Sequence, residues 1–265
     1  MTFVCATRHN QLAKRIHKAL DEGGEERKPR KFFRVSETTS CGRKLAYGIS
    51  GVKPTNKFPP QVLLKMQLGD VLHNWIRDEI IPSYADTQVT NWDVFKDKEE
   101  FLYHEYDVGG VTVALGGHLD GILRTSGREH PPALAVLEVK TAGRFSYMGT
   151  CKSGCMDPKH WSHGYARQAN RYVDLWNRKY PKDKVNKFCI FLFNTDASND
   201  NVTQVPLRDY WFKFNQDELD FDLQLRARVV EEGGNQFDPK LVTKGFSDPS
   251  CFECKGCLHR DECWR

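Results

Sequence analysis

The sequence predicts an α/β or α+β domain: helices first, then a run of strands, then a helix, two strands and a final helix. Two observations predict it. Apolar residues recur at helical spacing as far as Ile80, and from Val89 they switch to short strand-like runs. The 265 residues can bury one substantial core, or at most two small ones.

Leu12, Ile16 and Leu20 share one face of a helix expected over His9 to Glu22 and ended by Gly23-Gly24. Glu25 to Lys31 (EERKPRK) reads as an exposed basic linker, so residues 1–35 form an N-terminal appendage to a main domain over 36–265. Ser36 is the expected N-cap of a helix running to about Ile49 and ended by Ser50-Gly51. Pro59-Pro60 opens a longer helix through about Ile80, stopped by Pro82, because proline fits a first helical turn and breaks an interior one. Val89–Phe95, Phe101–Asp107, Val111–Leu115 with Leu119–Arg124, and Leu134–Lys140 read as strands of a largely consecutive sheet. The turn residues of Thr125 to Pro132 suit an antiparallel pairing of the last two. A loop rich in Gly and Cys precedes a helix over about Ser162 to Arg178. Lys187–Asn194 and Arg208–Asn215 are two further strands, Gln216–Glu231 is the last helix, and a Cys-rich tail closes the chain.

Charged residues at 28% and hydrophobic ones at 39% are ordinary for a globular protein, and a net charge of +4 is compatible with nucleic acid without pointing to it. No apolar run approaches the roughly 18 residues of a membrane span, and the first twenty residues lack a secretory apolar stretch. The sequence therefore reads as that of an intracellular protein with no membrane partner. In a reducing compartment, nine cysteines point to metal or cluster ligation rather than to disulfides.

Three groups of residues carry chemistry. In Leu134-Ala-Val-Leu-Glu-Val-Lys140, two-residue alternation projects Glu138 and Lys140 from one face after an apolar beginning. Asp120 lies on the preceding strand in Gly117-His-Leu-Asp-Gly121, where Gly116, Gly117 and Gly121 leave room for a ligand or a close backbone approach. Rigidly held oxygen ligands of this kind suit a hard cation that polarises a phosphate; a strand-end ion pair is the bland alternative. On the helix from Pro60, Met66, His73, Ile76 and Ile80 share an inner side, and an imidazole there is either a core residue or a further ligand. On the later helix, Gln168 and Tyr172 share a face with Ala169 and Trp176, beside a stripe of Arg167, Arg171 and Arg178 that could meet phosphates.

The tail holds the third group, Cys254-x2-Cys257-x5-Cys263, a dense thiolate spacing that wants a fourth ligand. Cys251 and His259 are local candidates, and Cys41 is a distant one that would clip the N-terminal helices to the C-terminus. Cys151-x3-Cys155-x4-His160-x2-His163 has the composition of a second zinc site with irregular spacing, whereas Cys5 and Cys189 look incidental.

In chain order these motifs are Cys41, Gly69-x3-His73, Gly117-x2-Asp120, Glu138-x-Lys140, Gln168-x3-Tyr172 and Cys254-x2-Cys257-x5-Cys263. From about Ser36 onward this order resembles the RecB-like branch of the PD-(D/E)xK nucleases. Within it, the chain is similar to the iron–sulfur exonucleases related to CRISPR-associated and phage-encoded RecB-type enzymes and to the AddB nuclease domain. The resemblance implies a restriction-endonuclease-like α/β core, a central mixed sheet flanked by helices, with N-terminal helices and a C-terminal Cys-rich cluster lobe. It implies that His73, Asp120 and Glu138, with the Val139 carbonyl, bind one or two Mg²⁺ or Mn²⁺ ions. Lys140 would orient or activate the attacking water and stabilise phosphate charge, with Gln168 and Tyr172 in positioning roles. It also implies a structural [4Fe–4S] cluster on Cys41, Cys254, Cys257 and Cys263, with zinc as the alternative metal. The Cys151–His163 insertion departs from the pattern, as does the additional thiol Cys251.

The expected activity is that of a metal-dependent DNA exonuclease on single strands or ends. It would serve recombination, repair, or phage or CRISPR DNA processing in the cytoplasm of a prokaryote or phage-infected cell. No helicase P-loop is seen, so unwinding would need a helicase, recombination or CRISPR partner; a homo-oligomer is a further expectation. The rival readings are a structure-specific endonuclease of the same fold, a non-catalytic DNA-binding or assembly subunit, and a zinc-ribbon module.

Overall fold

The computed structural model describes residues 28–39, 41–56, 58–80, 90–91, 100–125, 133–157, 160, 162–195, 207–234 and 237–264. The helix expected over residues 9–22 and most of the strand expected over 89–95 lie outside them. In chain order the elements are β1 (Phe33–Arg34), α1 (Gly42–Ser50), α2 (Pro60–Trp75, continued by a π-helical turn Ile76–Ile80) and β2 (Thr90–Asn91). Next come β3 (Glu100–Val108), β4 (Val111–Leu119), β5 (Gly121–Thr125), β6 (Ala133–Ala142), α3 (Arg144–Ser153) and α4 (His163–Lys179). The chain closes with β7 (Lys187–Asn194), β8 (Leu207–Lys213), α5 (Gln216–Gly233), α6 (Phe252–Lys255) and α7 (Arg260–Trp264).

The class is the expected one, mixed sheet flanked by helices, but the strands form two sheets rather than one. β1-β4-β3 is the first, with β1 parallel to β4; β2-β5-β6-β7-β8 is the second, with only β6 and β7 parallel. A parallel pair needs a long crossover, and α3 with α4 supplies it. The sheets part at Asp120, between β4 and β5. The strand break was expected at the glycines instead. Gly116 and Gly117 stay in β4 because other groups fill the space above them: a Cβ on Gly117 would lie 2.6 Å from the Tyr172 hydroxyl, and one on Gly116 2.9 Å from Phe32.

The helix α4 is the centre of the core. Ala169, Tyr172, Val173 and Trp176 are buried from it against Val136, Phe188 and Ile190 of β6 and β7. Each such large side chain contributes about 1.5–3 kcal/mol. Asn215 caps α5 by accepting from the Glu218 N–H at 3.2 Å, and the acids Asp217 and Glu218 suit that end of the helix dipole.

Three local expectations are corrected. Ser36 is no helix cap: α1 begins at Gly42 with Cys41 in the N-cap position. The segment before it is held extended because Arg171 donates to the carbonyls of Val35 and Glu37, at 2.6 and 3.2 Å, and Arg226 to that of Glu37 at 2.7 Å. Residues 144–153, expected as loop, form α3, which stops at Gly154 in a left-handed turn (φ 58°). Met66 is 50% exposed rather than inward. The helix meets the sheet at Gly69, where a Cβ would lie 3.1 Å from Thr141 Oγ1 near the end of β6. Among the described residues no helix is long and apolar enough to cross a membrane.

Candidate active site

Strand alternation and one helix crossing gather the predicted residues. Asp120 occupies the break between the sheets, and its Oδ2 accepts from the Val139 N–H of β6 at 2.8 Å. The same oxygen stands 3.1 Å from His73 Nε2 on α2. Glu138 and Lys140 project from β6 on the α4 side, with Lys140 Nζ in ion-pair contact with Glu138 Oε1. Lys140 also donates to Gln168 Oε1 at 3.2 Å. Tyr172, one turn further along α4, donates to the His118 carbonyl at 2.6 Å and so pins α4 to β4 two residues before Asp120. His73, Asp120, Glu138, Lys140, Gln168 and Tyr172 are thus brought to one place. Val139 turns its side chain to the opposite face, among Ile76, Leu123 and Cys189.

Tyr165 also belongs here and was not expected. Lys140 Nζ lies over its ring, 5.3 Å from the centroid. It stands three residues before Gln168 on the same helix, so helical spacing puts it on that face, and the fold adds the contact with Lys140. The basic stripe expected on α4 is interrupted: Arg171 is 1% exposed and pairs with Asp222, while Arg178 stays exposed and pairs with Asp174 at 2.6 Å. Arg167 pairs with Glu218 at 3.1 Å.

Burial sets the electrostatics. Glu138 is 0% exposed, and Lys140 Nζ is in close ion-pair contact with its Oε1. That burial, with the negative charge of Asp120, pushes its carboxyl up to about 7. Burial would push Lys140 down, but Glu138 and Asp120 outweigh it and hold the ammonium above the ordinary lysine value. His73 is raised for the same reason, burial being outweighed by its bond to Asp120 and by Glu138 beyond. Two carboxylates and a histidine face each other here beside Lys140, and carboxylate oxygens with an imidazole are a donor set that suits a divalent cation. Among the described residues no three His, Cys, Asp or Glu side chains are drawn around one point. Asp120 is turned to His73 and the Val139 N–H, and Glu138 to Lys140, contacts that a cation would replace.

Cys41, Cys254, Cys257 and Cys263 line one small pocket, together with Lys44 and Arg260. The tail reaches Cys41 closely: a Cβ on Gly245 would come within 2.7 Å of its Cα. Arg43 donates to the Cys263 carbonyl at 3.3 Å and stands 4.0 Å from its sulfur, so cations flank the thiols. Cys251 stays next to this group, its sulfur accepting from the Cys254 N–H at 3.4 Å, and His259 is stacked on Tyr47 at 4.8 Å. In the insertion, His160 Nδ1 is 2.6 Å from Ser162 Oγ, His163 Nδ1 is 3.0 Å from the Cys155 carbonyl, and Cys155 is buried.

The class defined by this architecture is a mixed α/β fold of two sheets flanked by helices. No family model and no curated protein matches the sequence. The crystal structure of SSO0001 is similar over 96% of both chains, with a TM-score of 0.51 and 16% identity. The alkaline exonuclease LHK-Exo from Laribacter hongkongensis is similar over 76% of this chain and 87% of its own (TM-score 0.43, 13% identity). Its complex with dAMP gives 75% and 90% (TM-score 0.40, 13% identity). At 16% identity the likeness to SSO0001 is one of fold alone, and function has to be argued from the residues.

Proposed function

We propose that the chain is a metal-dependent DNA nuclease, an exonuclease acting on single strands or DNA ends. The observation that carries the reading is Glu138: a fully buried carboxylate paired with Lys140 and set beside a second acid, Asp120, and His73 at a sheet break. Two acids held this close in a buried place repel each other, and a cation between them would relieve that repulsion. Mg²⁺ or Mn²⁺ held by His73, Asp120, Glu138 and the Val139 carbonyl would polarise a phosphate and lower the pKa of a bound water. Lys140, kept protonated by Glu138 and oriented by Gln168 and Tyr165, donates to the attacking water or to a phosphate oxygen rather than accepting a proton. Tyr172 keeps α4 in register with the Asp120 strand.

The same reading assigns a structural [4Fe–4S] cluster to Cys41, Cys254, Cys257 and Cys263. Four thiols line one small cavity with Lys44, Arg260 and Glu253, and Arg43 stands beside the Cys263 sulfur, a thiolate-rich donor set that suits a cluster. Such a cluster would tie α1 to the C-terminal lobe. Unwinding of duplex DNA would fall to a helicase partner in recombination, repair, or phage or CRISPR DNA processing.

The test uses anaerobically purified protein on end-labelled linear DNA and on closed circular DNA, with Mn²⁺ or Mg²⁺ and with chelator. Cation-dependent cleavage of linear DNA alone is the expected result. Cutting of the circle would replace the exonuclease by an endonuclease, and no cleavage of either by folded, iron-containing protein would reject a free-standing enzyme.

A further inference from the structure

On α1, Cys41, Lys44 and Tyr47 recur every three residues, and all of them line the pocket that Cys254, Cys257 and Cys263 share. Arg43, one turn before Tyr47, reaches the same place, donating to the Cys263 carbonyl at 3.3 Å and standing 4.0 Å from its sulfur. Tyr47 is 2% exposed, and its hydroxyl is buried with no hydrogen-bond partner among the described residues. A hydroxyl in that condition is costly, because it has left water and gained nothing in return. Phenylalanine would fill the same space without that cost. The ring is also held in place: it lies flat against the buried His259, with centroids 4.8 Å and planes 10° apart.

The charged groups around the hydroxyl are Cys263, Glu262, Arg43 and Asp238. Both carboxylates are engaged by Lys240. Glu262 pairs with its ammonium at 3.0 Å, and Asp238 accepts from its backbone N–H at 2.8 Å. Arg43 is itself a donor, spent on the carbonyls of Val242, Lys240 and Cys263. The acceptor left for Tyr47 is sulfur. A thiol is a weak acceptor, but a thiolate ligating a cluster is an anionic one, and hydrogen bonds to anions are the strong kind.

We infer that Tyr47 donates a hydrogen bond to the Cys263 thiolate when a cluster fills the pocket, and so helps to retain the cluster and raises its reduction potential. The inference rests on the cluster reading. A donor at a ligating sulfur draws negative charge off the site, which favours the reduced form and slows loss of the ligand. Tyr47 thus acts through Cys263 as a positioning residue for the cluster, and the hydroxyl that is orphaned without a cluster is the one that a cluster satisfies.

The experiment compares anaerobically purified, iron-loaded wild type, Tyr47→Phe and Tyr210→Phe, the last deleting a buried hydroxyl that does not line the pocket. Tyr47→Phe keeps the ring and its stacking on His259, so it should fold and bind as much iron per chain as wild type. Its release of iron to a chelator should be about ten-fold faster. Its reduction potential, from redox titration of the visible absorption, should be lower. The change in Fe–S stretching frequency on exchange into heavy water, read by resonance Raman, should be smaller than in wild type. Tyr210→Phe should match wild type in all of these. Wild-type release, potential and isotope shift in Tyr47→Phe would overturn the inference and leave the cluster reading standing. The same changes in Tyr210→Phe would also overturn it, since loss of any buried hydroxyl would then suffice. A wild type that takes up zinc and no iron removes the cluster reading, and the inference with it.

Discussion

Replacing Glu138 by Gln should stabilise the metal-free protein, and the gain should depend on pH. The carboxyl is raised from 4.5 to about 7 because the fold buries it beside Asp120. Between those values the folded chain holds a proton that the unfolded chain has released, so stability falls as pH rises through this window and stays low above it. Two and a half pH units at about 1.4 kcal/mol each come to roughly 3 kcal/mol at pH 8. Gln mimics the protonated acid and never meets that cost. For a chain of this length roughly 3 kcal/mol is a rise in melting temperature of about 6–12 °C at pH 8, shrinking to about 2–3 °C at pH 5. Thermal unfolding of both proteins in chelator at the two pH values measures it. Adding Mn²⁺ at pH 8 should then narrow the gap, because ligand binding to the folded state stabilises the wild type more than the variant. Equal melting temperatures at both pH values, or a less stable variant at pH 8, would refute the reasoning that burial of this acid is unfavourable.

Asp222→Ala should cost about 3–5 kcal/mol in urea unfolding, because Arg171 and Arg226 both pair with Asp222 in the interior and would be left there as uncompensated charges. Gly117→Ala should cost about 1–3 kcal/mol and lower activity, since its Cβ would come 2.6 Å from the Tyr172 hydroxyl and 3.1 Å from Val35. Cys41→Ser should lose bound iron and visible absorption and melt at lower temperature, whereas Cys251→Ser, outside the pocket, should retain all three; iron analysis with a melting curve distinguishes them.

Much of the fold was legible because its signals are local. β7 matches its expected residues, Lys187 to Asn194, since a strand buried on both faces reads as a continuous apolar run. Glu138 and Lys140 were legible as a pair through two-residue alternation, and Gln168 with Tyr172 through helical spacing. What failed depended on partners far away in sequence. Arg171 looked like surface because nothing near it announces Asp222, which reaches it from another helix. Ser36 looked like a cap because the guanidinium groups that claim Val35 and Glu37 come from α4 and α5. Spacing left Cys251 and His259 as rivals to Cys41; the fold brings Cys41 to the tail cysteines from far away in sequence, seats His259 on Tyr47 and keeps Cys251 beside Cys254. Tyr165 was missed although it lies one turn from Gln168, because its role appears only once β6 brings Lys140 over its ring.

The central claim is that Asp120, Glu138 and Lys140 together hydrolyse DNA. Its most direct test is the single-turnover rate of cleavage of a labelled single strand with Mn²⁺, for wild type, Glu138→Gln and Lys140→Ala at matched folded fractions. Each variant should lose about 10²–10³-fold or more, with Glu138→Gln more heat-stable than wild type in chelator while it is less active. Wild-type rates in both variants would contradict it and move the chemistry away from this site.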